Sequence, residues 1–401
     1  MATVTSMVLA TVAGCGAQAA TTASKATPIV IGASIPITGT FAAFGGYLKW
    51  GYQHAVNQVN AAGGITIGGV KHLVKLDILD DESNSDVTAN NVQRLILQDH
   101  VVGLLSSSTP PLVNPGALVA EHYKIPMVAC SDPIASFEAA HKWSYVWDIF
   151  FYDPNLAETP FMMLQNLKIQ TNHKVAIIYD NSPDGMEVGG TLWPMFAKKY
   201  DFKVAYTASF PTGTTDFSNI IQSIKASQAD VVLVDTDTPT AIAIRQQMKE
   251  YGFNPKMLDI EKGAEPLQYS IALGPLANGT LVGGYWGPNF PYPGAAQLAN
   301  LFEKQTHNTW SQHIADSYTA AQVLLDAIAR AGSTNAAKIN AAIAKTNKTY
   351  VVGPISFTNK ALPHASALPV VEDQWQNGKV VLVWPTNRAT GKFLYPIPPA
   401  Q

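Results

Sequence analysis

Cysteine is nearly absent: Cys15 and Cys130 are the only two in 401 residues, so a disulfide framework is excluded and a single bridge is the most that could form. Charge is scarce as well. Asp, Glu, Lys and Arg make up 14% of the chain, and 26 basic against 29 acidic residues leave a net charge of -3 with no blocks of one sign. That balance offers no electrostatic footprint for nucleic acid or for an anionic membrane face. No run reaches the roughly 18 consecutive apolar residues of a membrane-spanning helix. Enzyme signatures are missing too, with no Gly-x-Ser-x-Gly elbow, Walker loop, His-Glu-x-x-His or Cys-x-x-Cys. The nine histidines are scattered, and His307 and His313 lack both the i,i+4 spacing and the accompanying cysteine of a metal centre, so no metal and no cofactor is expected. Cys130-Ser131-Asp132 has no evident base nearby and is expected to hold a buried, unreactive strand-end thiol.

What remains is apolar and periodic. Hydrophobic residues make up 47% of the chain, enough for two or three packed units at this length. From Pro28 onward, strand and helix patterns alternate. Strands are expected at Ile29–Ile35, Leu73–Leu79, Val101–Leu105 and Ile125–Ala129, with helices at Tyr47–Ala61, Val87–Gln98 and Pro115–Tyr123 between them. An irregular, aromatic stretch from Lys142 to Glu158 interrupts the rhythm, which then restarts. The second series has strands at Lys174–Tyr179, Lys203–Phe210, Val231–Val234, Lys256–Ile260 and Gly279–Tyr285, helices at 189–199, 216–227 and 240–251, and two further helices at 295–306 and 312–331. Such alternation predicts an α/β fold of two doubly wound parallel-sheet lobes with a cleft between them.

In open parallel sheets, ligands sit beyond the carboxyl ends of the strands. The residues there are Phe44, Ser106-Ser107-Ser108-Thr109 and Ser131-Asp132 in the first half, and Asp180, Asp235, Asp237, Glu261-Lys262 and Trp286 in the second. Hydroxyls on one side thus face carboxylates and aromatics on the other, a set suited to a small zwitterion with an apolar side chain. Asn114-Pro115 is the expected start of the helix after the serine run. For the serines, ordinary turn chemistry is the competing explanation, and for Glu261 a solvated carboxylate.

The N-terminus carries an address. Residues 7–15 form a short apolar run, and Val12-Ala13-Gly14-Cys15 resembles the bacterial lipobox, although no basic residue precedes Lys25. The resemblance implies lipidation at Cys15 and a membrane-tethered lipoprotein, with 1–27 serving as signal and tether.

A wider resemblance covers residues 28–360. Ile31-Gly-Ala-Ser-Ile-Pro-Ile-Thr-Gly39, Phe44-Gly45, Val59-Asn-Ala-Ala-Gly-Gly-Ile65, Asp80-Asp81-Glu82, Lys124-Ile-Pro-Met-Val128 and Pro211-Thr-Gly-Thr-Thr-Asp-Phe217 resemble the type I periplasmic binding proteins of the branched-chain amino acid group, the extracytoplasmic receptors of ABC importers. The family implies three crossings between lobes: lobe one at 28–147 plus 287–345, and lobe two at 148–286 plus 346–401. It also implies a monomer that closes on its ligand by hinge bending and then meets a membrane permease. Its carboxylate-holding serine falls at Ser106, with Ser107 beside it. Ser131 and Asp132 would serve the amine, Glu261 and Asp237 would supply opposite charge, and Phe44, Tyr152 and Trp286 would cover the apolar part. Pro133 stands where the family carries a threonine. An amide, urea or aromatic acid is therefore the alternative ligand, a ligand sensor the alternative role, and an amide hydrolase the enzyme rival.

Overall fold

The computed structural model describes residues 1–3 and 26–399. Cys15 and the lipobox lie outside the described residues. Among those described, no helix is long and apolar enough to cross a membrane.

Two parallel sheets organise the chain. In the first, the strands run in the order Ala365–Leu368, Val146–Phe151, Met127–Ala129, Leu104–Leu105, Ile29–Ile35 and Val74–Asp80, all parallel. The second runs Lys379–Trp384, Val371–Gln376, Thr280–Gly284, Met257–Lys262, Val231–Thr236, Lys174–Asp180 and Lys203–Phe210, parallel except for its first two strands. Central strands such as Val231–Thr236 are buried along their whole length, because helices cover both faces and leave no side for alternating polar residues. Each sheet accordingly separates two apolar cores.

The strand Val146–Phe151 and the late strand Ala365–Leu368 both belong to the first sheet. The crossings between lobes therefore fall after Phe151, around Tyr285 as the expected division at 286 has it, and between Leu368 and Val371 rather than after 345. The physical reason lies in pairing: Ala365 to Leu368 register against Asp148 to Phe151, so the first part of the tail completes lobe one before Val371–Gln376 joins lobe two.

In lobe one, helix Ala42–Ala61 packs along helix His313–Ala331. Their axes approach closely at Gly51, where a Cβ would stand 2.0 Å from Ser317 Oγ and 2.8 Å from Tyr318 N, so only glycine fits there. This packing brings the first turn of the His313–Ala331 helix to the cleft.

The helix after the serine run begins earlier than its sequence suggests, at Pro110 rather than Pro115. Pro110 and Pro111 take the first two positions, where a missing N–H costs nothing. Leu112 and Val113 then donate to Thr109 O at 3.0 and 2.9 Å. Pro115 sits inside the helix, and the loop before it shortens. The helix start therefore faces the cleft with prolines and hydroxyls, not with a cradle of free N–H groups.

Candidate functional site

Between the lobes lies a narrow cavity of about 50 Å3, room for a few waters with the lobes this close. Phe44, Phe150, Phe151, Leu156 and Val188 give it apolar walls. Its polar lining is of two kinds. Lobe one supplies Ser108, Thr109, Ser131 and His313, and lobe two supplies Asp184, Asp235, Glu261, Lys262 and Glu265.

The hydroxyls of Ser108 and Thr109 are buried and have no hydrogen-bond partner. An unpaired buried hydroxyl costs about 1–3 kcal/mol, so both are poised for a partner arriving from the cavity. The backbone here is unusual as well: Thr109, Ser131 and Lys262 have φ of 65°, 62° and 60°. Left-handed conformations are costly for residues with a Cβ, above all for β-branched threonine, and such strain gathers at ligand clamps.

The two cations of the cavity already have partners. Lys262 Nζ lies 2.6 Å from Asp184, 3.4 Å from Asp235 and 3.8 Å from Asp180. Burial works against its charge, yet these three carboxylates outweigh burial and raise its pKa. Burial likewise opposes ionisation of Asp184, but Lys262 holds it below the usual carboxylate range. Asp235 is pushed up, mainly by burial, against the pull of Lys262.

His313 opens the His313–Ala331 helix, where a cation meets the positive end of the helix dipole. Its Nε2 pairs with Glu265, and its Nδ1 lies 3.3 Å from Asp316 Oδ2. Burial would lower its pKa, but Glu265 and Asp316 prevail and raise it to about 10. Phe44 meets the imidazole edge-on, with centroids 5.0 Å apart.

Glu261 stands apart. Among the described residues, its side chain accepts one hydrogen bond, from Gly283 N at 3.2 Å. Burial, with Asp259 and Glu372 behind it, pushes its pKa well above the ordinary glutamate value. Gly283 makes room for it: a Cβ there would fall 2.6 Å from Glu261 Oε1.

The cavity thus brings together Phe44, Ser131 and Glu261 of the residues expected from sequence. It does not bring together the others. Ser106 Oγ is taken up by Cys130 N, Cys130 O and Ser107 O at 2.9–3.1 Å, tying two neighbouring strands together behind the cavity wall. Ser107 Oγ donates to Asp81 at 2.6 Å. Asp132 is fully buried beside the cavity without lining it, its carboxyl unpartnered and its pKa raised by burial and Asp153. Tyr152 precedes the helix Asp153–Asn166 and packs in the core on the outer face of the first sheet. Asp237 caps the helix Thr238–Glu250 by accepting from Thr240 N at 2.9 Å, and lines a neighbouring crevice that also runs between the lobes, from Thr40, Phe41 and Pro111 to Asp180 and Lys262, and shares Lys262 with the cavity. Trp286 is buried in the lobe-one core, donating to Val351 O.

Sequence reasoning passed over His313 and Glu265. They are 48 positions apart, and no spacing rule joins them. It had placed Ser108, Thr109 and Lys262 in strand-end loops but gave the cradle to Ser106, whose hydroxyl is engaged by Cys130 and Ser107 instead.

A family model described as periplasmic binding protein matches residues 28–376. A Leu/Ile/Val-binding protein homologue of Brucella suis is 25% identical over 390 residues, covering 92% of this chain and 94% of the relative. Among solved structures, the branched-chain amino acid transporter substrate-binding protein of Streptococcus pneumoniae, in complex with isoleucine, superposes with TM-score 0.79 at 20% identity, over 89% of this chain and 100% of that one. A solute-binding protein of R. palustris in complex with 4-hydroxybenzoate gives TM-score 0.73 at 20% identity, over 92% and 98%. With the family match spanning most of its length and the fold shared along both lobes, the chain belongs to the periplasmic binding protein family.

Proposed function

We propose that this protein captures a small organic solute in the interlobe cavity, outside the cytoplasm, and delivers it to an ABC permease without making or breaking a bond. The solute is an amino acid with an apolar side chain. One observation carries this choice: once the internal ion pairs are counted, the unspent polar groups are the Ser108 and Thr109 hydroxyls on lobe one and Glu261 on lobe two. A carboxylate fits the hydroxyls, an ammonium fits Glu261, and the apolar side chain fits among Phe44, Phe150 and Phe151. Arrival of the ammonium would ionise Glu261, which burial keeps protonated in the empty cavity.

A second reading has its own support. Lys262 and His313 are both ion-paired, and a protonated Glu261 is a hydrogen-bond donor, so an aromatic acid could be held between Glu261 and the hydroxyls with its ring among the phenylalanines. Thermal unfolding with a panel of amino acids, amides, urea and aromatic acids separates the two. A true ligand at 100 times its Kd stabilises by about 2.7 kcal/mol. Branched-chain or aromatic amino acids are expected to shift the transition; shifts confined to aromatic acids support the second reading, and a flat response across the panel refutes both.

A further inference from the structure

Beside Glu261 the ladder of the second sheet gives way to side chains. Strand Met257–Lys262 registers against strand Thr280–Gly284 at Leu258 with Thr280 and at Asp259 with Leu281, and the pairing stops there. On its other edge, Thr280–Gly284 stays in register with Val371–Gln376 as far as Gly284 against Val371. Its last residues are buried, so their backbone groups need partners that water does not supply.

Two side chains stand in for the lost pairing. Glu261 Oε1 accepts from Gly283 N at 3.2 Å. Gln312 spans the next step, donating through Nε2 to Gly283 O at 3.2 Å and accepting through Oε1 from Tyr285 N at 2.8 Å. A glutamine amide offers a donor and an acceptor together, as a neighbouring strand would. Gln312 comes from lobe one and immediately precedes the cavity residue His313, but does not itself line the cavity. Gly283 ends a lobe-two strand, and Tyr285 follows at the crossing between lobes. Gly283 is thus held from two directions, by a carboxyl that meets the cavity and by an amide that does not.

We propose that Gln312 is a positioning residue for Glu261: by fixing Gly283 and Tyr285 at the crossing, it keeps the Gly283 N–H on one carboxyl oxygen and leaves the other for the solute's ammonium. A hydrogen bond donated to a carboxylate favours its ionised form, and Gly283 N is the donor that the structure gives Glu261. The effect on solute rests on the amino acid reading proposed above; the hold on Gly283 does not.

Amide hydrogen exchange of the solute-free full chain, read by NMR at Gly283 and Tyr285, tests the hold without any ligand. Both amides should be protected in the wild type. Gln312→Met keeps the length of the side chain but has neither donor N–H nor amide oxygen, and should speed exchange at Tyr285 and at Gly283 by roughly tenfold, the scale of one lost hydrogen bond. Unchanged protection of Gly283 in Q312M overturns the hold. Circular dichroism identifies a variant that fails to fold, in which case the wild type decides: the two amides should open at the same rate, and a Gly283 amide that exchanges as freely as a surface loop overturns the hold. Calorimetric titration with L-leucine reads the consequence. Q312M should weaken binding by about two- to tenfold in the wild-type background and much less in E261Q, because two residues that act through one another are not additive. Equal losses in both backgrounds would make Gln312 a structural prop and overturn the positioning role. If leucine does not bind the wild type, the amino acid assignment fails while exchange at Gly283 still judges the hold.

Discussion

The two walls of the cavity are built on opposite plans. Lobe one presents hydroxyls on a strained backbone, with Thr109 and Ser131 at positive φ and the Ser108 and Thr109 side chains unpartnered. Lobe two presents charge, but most of it is consumed locally by Lys262 and its three carboxylates. The same contrast separates the two cations. Lys262 finds its partners within lobe two, whereas His313 reaches across the cleft to Glu265. Wall charge is therefore mostly scaffold, and on the proposed reading the solute meets the few groups left over on each side.

The largest effect expected from breaking this contrast is on stability. Lys262→Met leaves Asp180, Asp184 and Asp235 buried against one another, and should destabilise the protein by about 3–5 kcal/mol, measured by chemical unfolding. Next is Glu261→Gln, which keeps the shape of the side chain and the bond from Gly283 but cannot become an anion. Affinity for an amine-bearing solute should fall by about 1.5–3 kcal/mol, the range for a hydrogen bond to a charged group, while an aromatic acid would bind no worse; calorimetric titration reads both.

Two serines sharpen the comparison within lobe one. Ser108→Ala should weaken solute binding by about 0.5–1.5 kcal/mol and leave stability unchanged. Ser106→Ala should do the reverse, because its hydroxyl serves Cys130 N behind the wall at 3.1 Å. If the two variants exchange these behaviours, the cradle belongs at Ser106 after all.

A pH-dependent effect concerns the crossing between lobes. Burial raises the pKa of Asp153 from 3.8 to about 7, so the folded state holds a proton that the unfolded chain releases. Stability should then fall as the pH rises across that window. Asp153→Asn can still accept from Ala135 N, as Asp153 Oδ2 does at 2.8 Å, and should flatten the melting temperature against pH.

Much of the frame was legible in the sequence. The strand Ile29–Ile35 ends where its apolar run ends, since burial on both faces of a parallel sheet writes apolar runs that are hard to mistake. Errors arose where two local rules competed. Asn114-Pro115 reads as a helix start, but Pro110-Pro111 fits the first turn equally well, and the helix begins there because Thr109 O can receive Leu112 N and Val113 N. That choice moved the helix start five residues toward the strand and brought Ser108 and Thr109 to the cavity. Asp237 carries a residue type suited both to a cap and to a ligand, and the cap claimed it. The last crossing was misplaced because Ala365–Leu368 pairs with a strand more than two hundred residues earlier, a match that no window along the chain can see. For the same reason, His313 and Glu265 could be found only in the folded protein.

The most direct test of the central claim is calorimetric titration of wild type and E261Q with L-leucine and L-isoleucine. Glu261 as partner of the solute ammonium requires saturable binding to the wild type, release of a proton on binding, and a loss of roughly tenfold or more in E261Q. Equal affinity in both proteins, with no proton released, would contradict that assignment and leave the aromatic acid as the surviving solute.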